Sequence, residues 1–318
     1  MTTIRPTEVR LSLTPNLRVE TIDVHAWLAG EARDALRRHR RALYWSPHTT
    51  AGYLEETFFA RLRHCPERLA QFVGGFGAVF PEGADYRHDR MELRGELTDD
   101  QKKVEPRNAD SHLTYIAAGV RNCVSYRASA PAVYFIDLDG TSEAARRQRE
   151  TSILAYDDER IVASASVPVP ASDETFDALD LSDPRFGILA RADEMLARAG
   201  VEHARADVSL GPRERGAALT INEYETLLMR HDLIGALRRP AQFARMSGRL
   251  ERSRSVSLPA TPHGGAARIV RGRYQSPILV QWRPARQRGR RIDLSIVELS
   301  CQPVSSLMAV PCPVQVCR

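Results

Sequence analysis

The second half of this 318-residue chain is a faint copy of its first half, and that repetition limits the available folds more than any other feature. A helical stripe of Ile188, Leu189, Ala192, Met195 and Leu196 in residues 186–199 answers to Trp27, Leu28, Ala32, Ala35 and Leu36 in residues 27–41. The run Val208-Ser209-Leu210 answers to Ala42-Leu43-Tyr44-Trp45. Residues 274–283 match the strand ending at Arg127, and residues 294–299 match 134–139. The pattern predicts two units, at 1–150 and 151–301, with an irregular tail at 302–318. A charged connector at 141–151, carrying Glu143, Arg146, Arg147 and Arg149, marks the boundary.

Within the first unit, residues 7–24 alternate apolar and polar and predict one or two strands. Residues 55–73 place Phe58, Phe59, Leu62, Leu69 and Phe72 on one helical stripe, which Gly74-Gly75-Phe76-Gly77 ends. Residues 83–107 are expected to be a polar loop, and loops of that length inside a domain usually carry function. Residues 113–126 and 132–138 are apolar and β-branched enough to predict paired core strands.

Composition narrows the function classes. An apolar share of 43% with 27% charged residues describes a globular protein. No apolar run is long enough to cross a bilayer and the first residues lack the core of a signal peptide, so no membrane role and a cytoplasmic location are expected. Five cysteines with no Cys-x-x-Cys pair point to free thiols and give no zinc-cage spacing. The net charge of +5 comes mostly from arginines scattered over helices, with one denser run at 283–291. Solvated surfaces and attraction for a phosphorylated small molecule account for it, and no nucleic-acid partner is expected.

Three stretches carry the chemistry. They are Ser46-Pro47-His48-Thr49-Thr50-Ala51-Gly52, Tyr86-Arg87-His88-Asp89 and Arg107-Asn108-Ala109-Asp110-Ser111-His112. Together they supply three imidazoles, an amide and two carboxylates, a set that suits a divalent metal, zinc first. In that reading His48, His88 and His112 are the ligands, with Asn108 and Asp110 orienting rings or substrate. A metal-free reading is also coherent: the imidazoles and Arg87 or Arg107 hold a phosphate while one histidine acts as general acid. Thr49 and Thr50 are further candidates for substrate contact.

At these stretches the chain resembles the YjbQ-like family, whose members are often described as secondary thiamine-phosphate synthases. The resemblance rests on the His-Thr-Thr-Ala segment, the Tyr-x-His, the Asn-Ala-x-x-His element and the acidic strand Phe135-Ile136-Asp137-Leu138-Asp139. A further family segment, Thr220-Ile221-Asn222-Glu223, stands in the second half. The resemblance implies an α+β protein of two tandem YjbQ-like units, each a β-sandwich-like sheet layer with flanking helices. It also implies a homo-oligomer with sites near subunit interfaces.

Each unit departs from the family pattern. The first has Tyr53-Leu54-Glu55-Glu56 where Leu-Thr-Ile-Asn-Glu is usual, and the second has Glu214 in place of the histidine. A pocket shared between the units of the same or a neighbouring chain is therefore expected, with Asn222 and Glu223 brought towards His48, Glu223 as base or orienting partner; alternatively, Glu55 or Glu56 substitutes locally and the second unit is only scaffold. The function implied is an enzyme, a transferase acting on a phosphorylated or pyrophosphorylated small molecule in a thiamine-phosphate-synthase-like condensation or a related biosynthetic step. The alternative is a non-catalytic metal- or ligand-binding protein using the same pocket.

Overall fold

The computed structural model describes residues 5–95, 97–141, 146–223, 227–272, 275–283, 285 and 289–301. The expected tail at 302–318, Glu143 and Tyr274 lie outside the described residues. In chain order the first half runs β1 (Thr7–Leu13), β2 (Glu20–Asp23), α1 (Gly30–Arg37), β3 (Arg41–Trp45), β4 (Ala51–Gly52), α2 (Glu56–Arg61) and α3 (Pro66–Gly74). It continues with α4 (Asp99–Val104), α5 (Ala109–Ala118), β5 (Cys123–Arg127), β6 (Tyr134–Asp137) and β7 (Arg149–Tyr156). The second half runs β8 (Asp158–Pro170), β9 (Asp177–Asp180), α6 (Ile188–Ala199), β10 (Ala204–Leu210), β11 (Ala217–Glu223), α7 (Leu227–Arg238) and α8 (Pro240–Leu250). It ends with β12 (Ser255–His263), β13 (Ala266–Ile269), β14 (Gln275–Gln281) and β15 (Gly289–Ser300).

The chain is α+β, and its repetition is written in strand order. The first half forms a four-stranded sheet β1-β7-β3-β5 and a three-stranded sheet β2-β6-β4. The second forms β8-β15-β10-β12 with β13 added at the edge, and β9-β14-β11. Every pairing is antiparallel. The two halves are therefore two copies of one topology.

Several expectations need correction. The boundary expected at 150 falls inside β7, which pairs with both β1 and β3, so the first unit runs to Tyr156. In strand position, β14 corresponds to β6 and β15 to β7, one element later than the sequence match placed them. The long helices are shorter too. α1 stops at Arg37, and the stripe at 55–73 breaks into α2 and α3 around Arg63 and His64, both at positive φ. Within the expected loop at 83–107, Thr98 and Gln101 form a capping box that starts α4.

The largest correction is α5. Its residues were expected to begin a core strand at 113, yet Ala109–Ala118 is a helix that ends at Gly119, whose φ of 73° suits glycine. All ten residues of α5 are buried, because it packs between α3, α7, α8 and β11. A helix covered on every side shows no polar face, so its sequence lacks the period that distinguishes helix from strand.

One core runs through both units. It joins Phe59, Leu69 and Ile116 of the first to Met229, Leu233, Met246 and Trp282 of the second. A second cluster, built on Ile188, Leu196, Val208 and Leu294, lies wholly within the second unit. Alternation along β3 sends Ala42 and Tyr44 into the shared core while Leu43 and Trp45 meet Val297 and Leu299 of β15. Glycine makes one seam possible: a Cβ on Gly272 would sit 2.2 Å from the Pro47 carbonyl oxygen.

Candidate metal centre

Asn108 immediately precedes helix α5, and the first turn fixes His112, whose backbone N–H donates to the Asn108 carbonyl. His88 sits in the segment before α4, where Asp232 of α7 accepts the backbone N–H groups of Arg87 at 2.9 Å and His88 at 2.7 Å. The third participant comes from the second unit. Strand β11 runs seven residues, all buried, and its last two are Asn222 and Glu223. The corresponding β4 has only two residues before the chain turns into α2, so the first unit cannot present such a pair from its own strand.

The ligand atoms of His88, His112 and Glu223 lie within 4.8 Å of one another. His112 Nε2 is 3.1 Å from Glu223 Oε2, and His88 Nε2 is 3.8 Å from the same oxygen. Each ring is held from behind. His88 Nδ1 donates to Asp89 Oδ1 at 3.0 Å, and His112 Nδ1 donates to Asn222 Oδ1 at 2.8 Å. That amide oxygen also accepts the Glu223 N–H, which fixes the orientation of the Asn222 side chain. With both Nδ1 positions donating, the two Nε2 atoms are turned to one point beside a carboxylate, the arrangement in which imidazole binds metal.

Electrostatics follow from burial and partners. Burial works to lower the His88 pKa, but Asp89 and Glu223 outweigh it and push it up to about 9. Burial also works to raise the Glu223 carboxyl, and His112 and His88 override it, holding the group well below the usual carboxylate range. Arg94 adds its guanidinium, with Nη2 3.6 Å from Glu223 and 3.7 Å from Glu105. Two nitrogen donors and one ionised oxygen at this spacing fit zinc or a related divalent ion, and three ligands leave a position for a further one.

The structure does not bring all the expected residues here. His48 belongs to a different neighbourhood: its Nε2 accepts the Glu150 N–H at 2.9 Å, and its carbonyl accepts from Gln275 of β14. Burial, then Arg149 and Arg147, lower its pKa to about 3, so the ring is neutral and its acceptor nitrogen is already used. Among the described residues, the clusters able to hold a metal do not include it. Glu223 thus meets His88 and His112 and not His48. Thr50 accepts from Arg149, and Asp110 receives Arg18 in a salt bridge at 2.7 Å, so both are engaged in structural pairs. Thr49 is half-buried in the His48 loop, and Arg107 is exposed. Asn108 stays close to the site's helix, giving its Nδ2 to Asp139 at 2.8 Å, while its buried Oδ1 has no hydrogen-bond partner among the described residues.

Asp89, Arg94, Glu105 and Asp232 were not singled out as site residues from the sequence. Asp89 was open to detection, because a carboxylate directly after a candidate ligand histidine is placed to hold its ring. Asp232 gives no such signal, since it acts through backbone groups 144 residues away.

Beside the centre lies a cleft of about 390 Å³ between the His88 segment and α7. Arg87, Arg90, Arg238 and Arg239 line it, with Asp85 and Asp232. Asp85 is taken up by Arg90 at 2.5 Å and Asp232 by backbone N–H groups, so the remaining charge of the cleft is positive.

No family model matches this sequence, and neither does any curated protein. Solved structures do. A YbjQ-like protein of unknown function from Sulfolobus solfataricus is 16% identical over 44% of this chain and 99% of its own, with a TM-score of 0.33. An uncharacterised conserved protein of the YjbQ family from Clostridium acetobutylicum is 18% identical over 46% of this chain and 97% of its own, with a TM-score of 0.30. A hypothetical protein from Aeropyrum pernix is 14% identical over 43% and 98%, with a TM-score of 0.29. Each of the three is matched over nearly its whole length by less than half of the present chain.

Proposed function

We propose that this protein is a metal-dependent enzyme acting on a phosphorylated small molecule, with a divalent metal, zinc first, held by His88, His112 and Glu223. The observation that carries the reading is the pair of imidazoles, each tied at Nδ1 by Asp89 or Asn222 and turned at Nε2 towards one buried carboxylate oxygen. A divalent metal bound there supplies Lewis-acid stabilisation of charge on a phosphoryl oxygen. Asp89 and Asn222 orient the rings, His112 and His88 keep Glu223 ionised, and Arg94 adds a positive charge 3.6 Å from it. Arg87, Arg238 and Arg239 in the adjoining cleft attract an anionic group and exclude cationic ones. Among reactions of this class, the YjbQ-like resemblance points to a condensation that releases pyrophosphate. A homo-oligomer remains part of the proposal.

The rival reading is a metal-binding protein without turnover, and burial favours it: His88 is 0% exposed, His112 1% and Glu223 8%. Metal analysis of protein purified without chelator, together with assays for phosphate and pyrophosphate release, separates the two. The proposal expects Glu223→Gln and His112→Ala each to remove one metal equivalent per chain and to abolish turnover. Metal content unchanged in both variants overturns the centre; metal loss with no turnover in the wild type selects the rival.

A further inference from the structure

We infer a second metal site, structural and zinc-binding, at the seam between the units, formed by His39, Asp157 and Cys301. These residues come from three separate places: the short segment between α1 and β3, the single residue linking β7 to β8, and the residue following β15. Their ligand atoms lie within 4.8 Å of one another. His39 Nδ1 is 3.6 Å from Cys301 Sγ and 3.5 Å from Asp157 Oδ2.

Those separations are the ones a tetrahedral ion imposes. With zinc about 2.0–2.1 Å from nitrogen, about 2.3 Å from sulfur and about 2.0–2.2 Å from oxygen, tetrahedral angles put nitrogen about 3.6 Å from sulfur and about 3.4 Å from oxygen. The ring is also oriented for the task. His39 Nε2 is 3.3 Å from Thr7 Oγ1 of β1, so an Nε2–H donating to that hydroxyl leaves the Nδ1 lone pair facing the carboxylate and the thiol. His39 is buried, and the other two are half-buried, which leaves a fourth position for water. The Asp157 carboxylate is steadied by the Arg40 N–H on its other oxygen at 3.1 Å.

A bound ion here pins the end of β15 to the junction through which β7 becomes β8. It shares no ligand with the centre at His88, and of the two it alone contains a cysteine. Cobalt substitution exploits that difference, because a cysteine ligand gives an intense thiolate-to-cobalt charge-transfer band in the near ultraviolet, and a histidine–carboxylate set does not. Cobalt-loaded full-length protein is expected to show the band, Glu223→Gln to retain it, and Cys301→Ser and His39→Gln to lose it together with one metal equivalent. Zinc is expected to raise the melting temperature of Glu223→Gln but not of the Glu223→Gln, Cys301→Ser double variant. A band and metal content that survive Cys301→Ser overturn the site, whatever becomes of the centre at His88.

Discussion

Each unit buries one arginine at the same point of its fold, and the two are neutralised differently. Arg149 lies at the start of β7 and Arg290 at the start of the corresponding β15. Arg149 grips Asp137 with Nε at 2.7 Å and Nη2 at 2.9 Å, and Nη2 also reaches Thr50 and the Asp139 carbonyl. In the second unit Gln281 stands where Asp137 stood, since Asp137 pairs with Ala51 of β4 just as Gln281 pairs with Ala217 of β11. An amide cannot balance a guanidinium. The missing charge comes from Glu214 in the loop before β11, whose Oε2 accepts Arg290 Nη1 at 3.0 Å. That loop corresponds to the one holding His48. In the second unit the counter-charge therefore comes from the loop, where the first unit supplies it from the strand.

This comparison can be broken most directly at the carboxylates. Asp137→Ala leaves Arg149 buried with neutral partners and is expected to cost about 3–5 kcal/mol of unfolding free energy. Glu214→Ala leaves Arg290 with Gln281 and two carbonyls, and Glu214 is partly solvated, so the expected loss is about 1.5–3 kcal/mol. Denaturant titration of both variants checks the order. Equal losses, or a larger one at Glu214, would mean that the two arginines are not balanced as described.

A smaller effect sharpens the contrast between the long β11 and the short β4. Asn222→Ala frees the His112 ring and is expected to weaken metal binding by about 10–100-fold. Glu56, at the start of α2 beyond the end of β4, makes a surface pair with Arg127 at 2.9 Å. Glu56→Ala should leave metal affinity unchanged and stability within about 1 kcal/mol. Competition titration with a chelating dye reads both.

An effect confined to acid pH concerns His48. Its folded pKa of about 3 lies below the ordinary 6.5, so the unfolded chain takes up the proton first. The associated stability is present above about pH 6.5 and is lost as pH falls from there towards 3. His48→Gln should flatten the dependence of the melting temperature on pH across that window while leaving metal content intact. A variant that keeps the wild-type slope would show that His48 is not the group responsible.

How much of this was legible in the sequence depended on where the determining contacts lay. Strands β1, β2 and β10 alternate in a local pattern, β3 is a short apolar run, and α6 shows a clear apolar stripe, so each could be read from its own residues. Helix α5 could not, because burial on every side erased its period. His88 and His112 were found through local motifs, and Glu223 through its own segment. Their meeting was set by the length of β11 against β4, and no short motif records a strand's length. His48 was misplaced for a related reason: its motif shows an imidazole in a small-residue loop and nothing of the Glu150 N–H that occupies it. The boundary was missed because β7 is highly charged at its start, where Arg149 is an interior residue with its own carboxylate.

The placement of Glu223 on β11 has a consequence for the chain as it is made. Glu223 is 111 positions beyond His112 (223 − 112), so on a ribosome adding about 5–20 residues per second the two histidines emerge roughly 6–20 s before their carboxylate. In that interval α5 has neither β11 nor α8 to cover it, and the nascent first unit holds two imidazoles without the oxygen that completes the set. On the proposed reading, metal capture would then coincide with the docking of the second unit. A chain stalled before residue 223 would hold His88 and His112 without the carboxylate that the proposed centre requires.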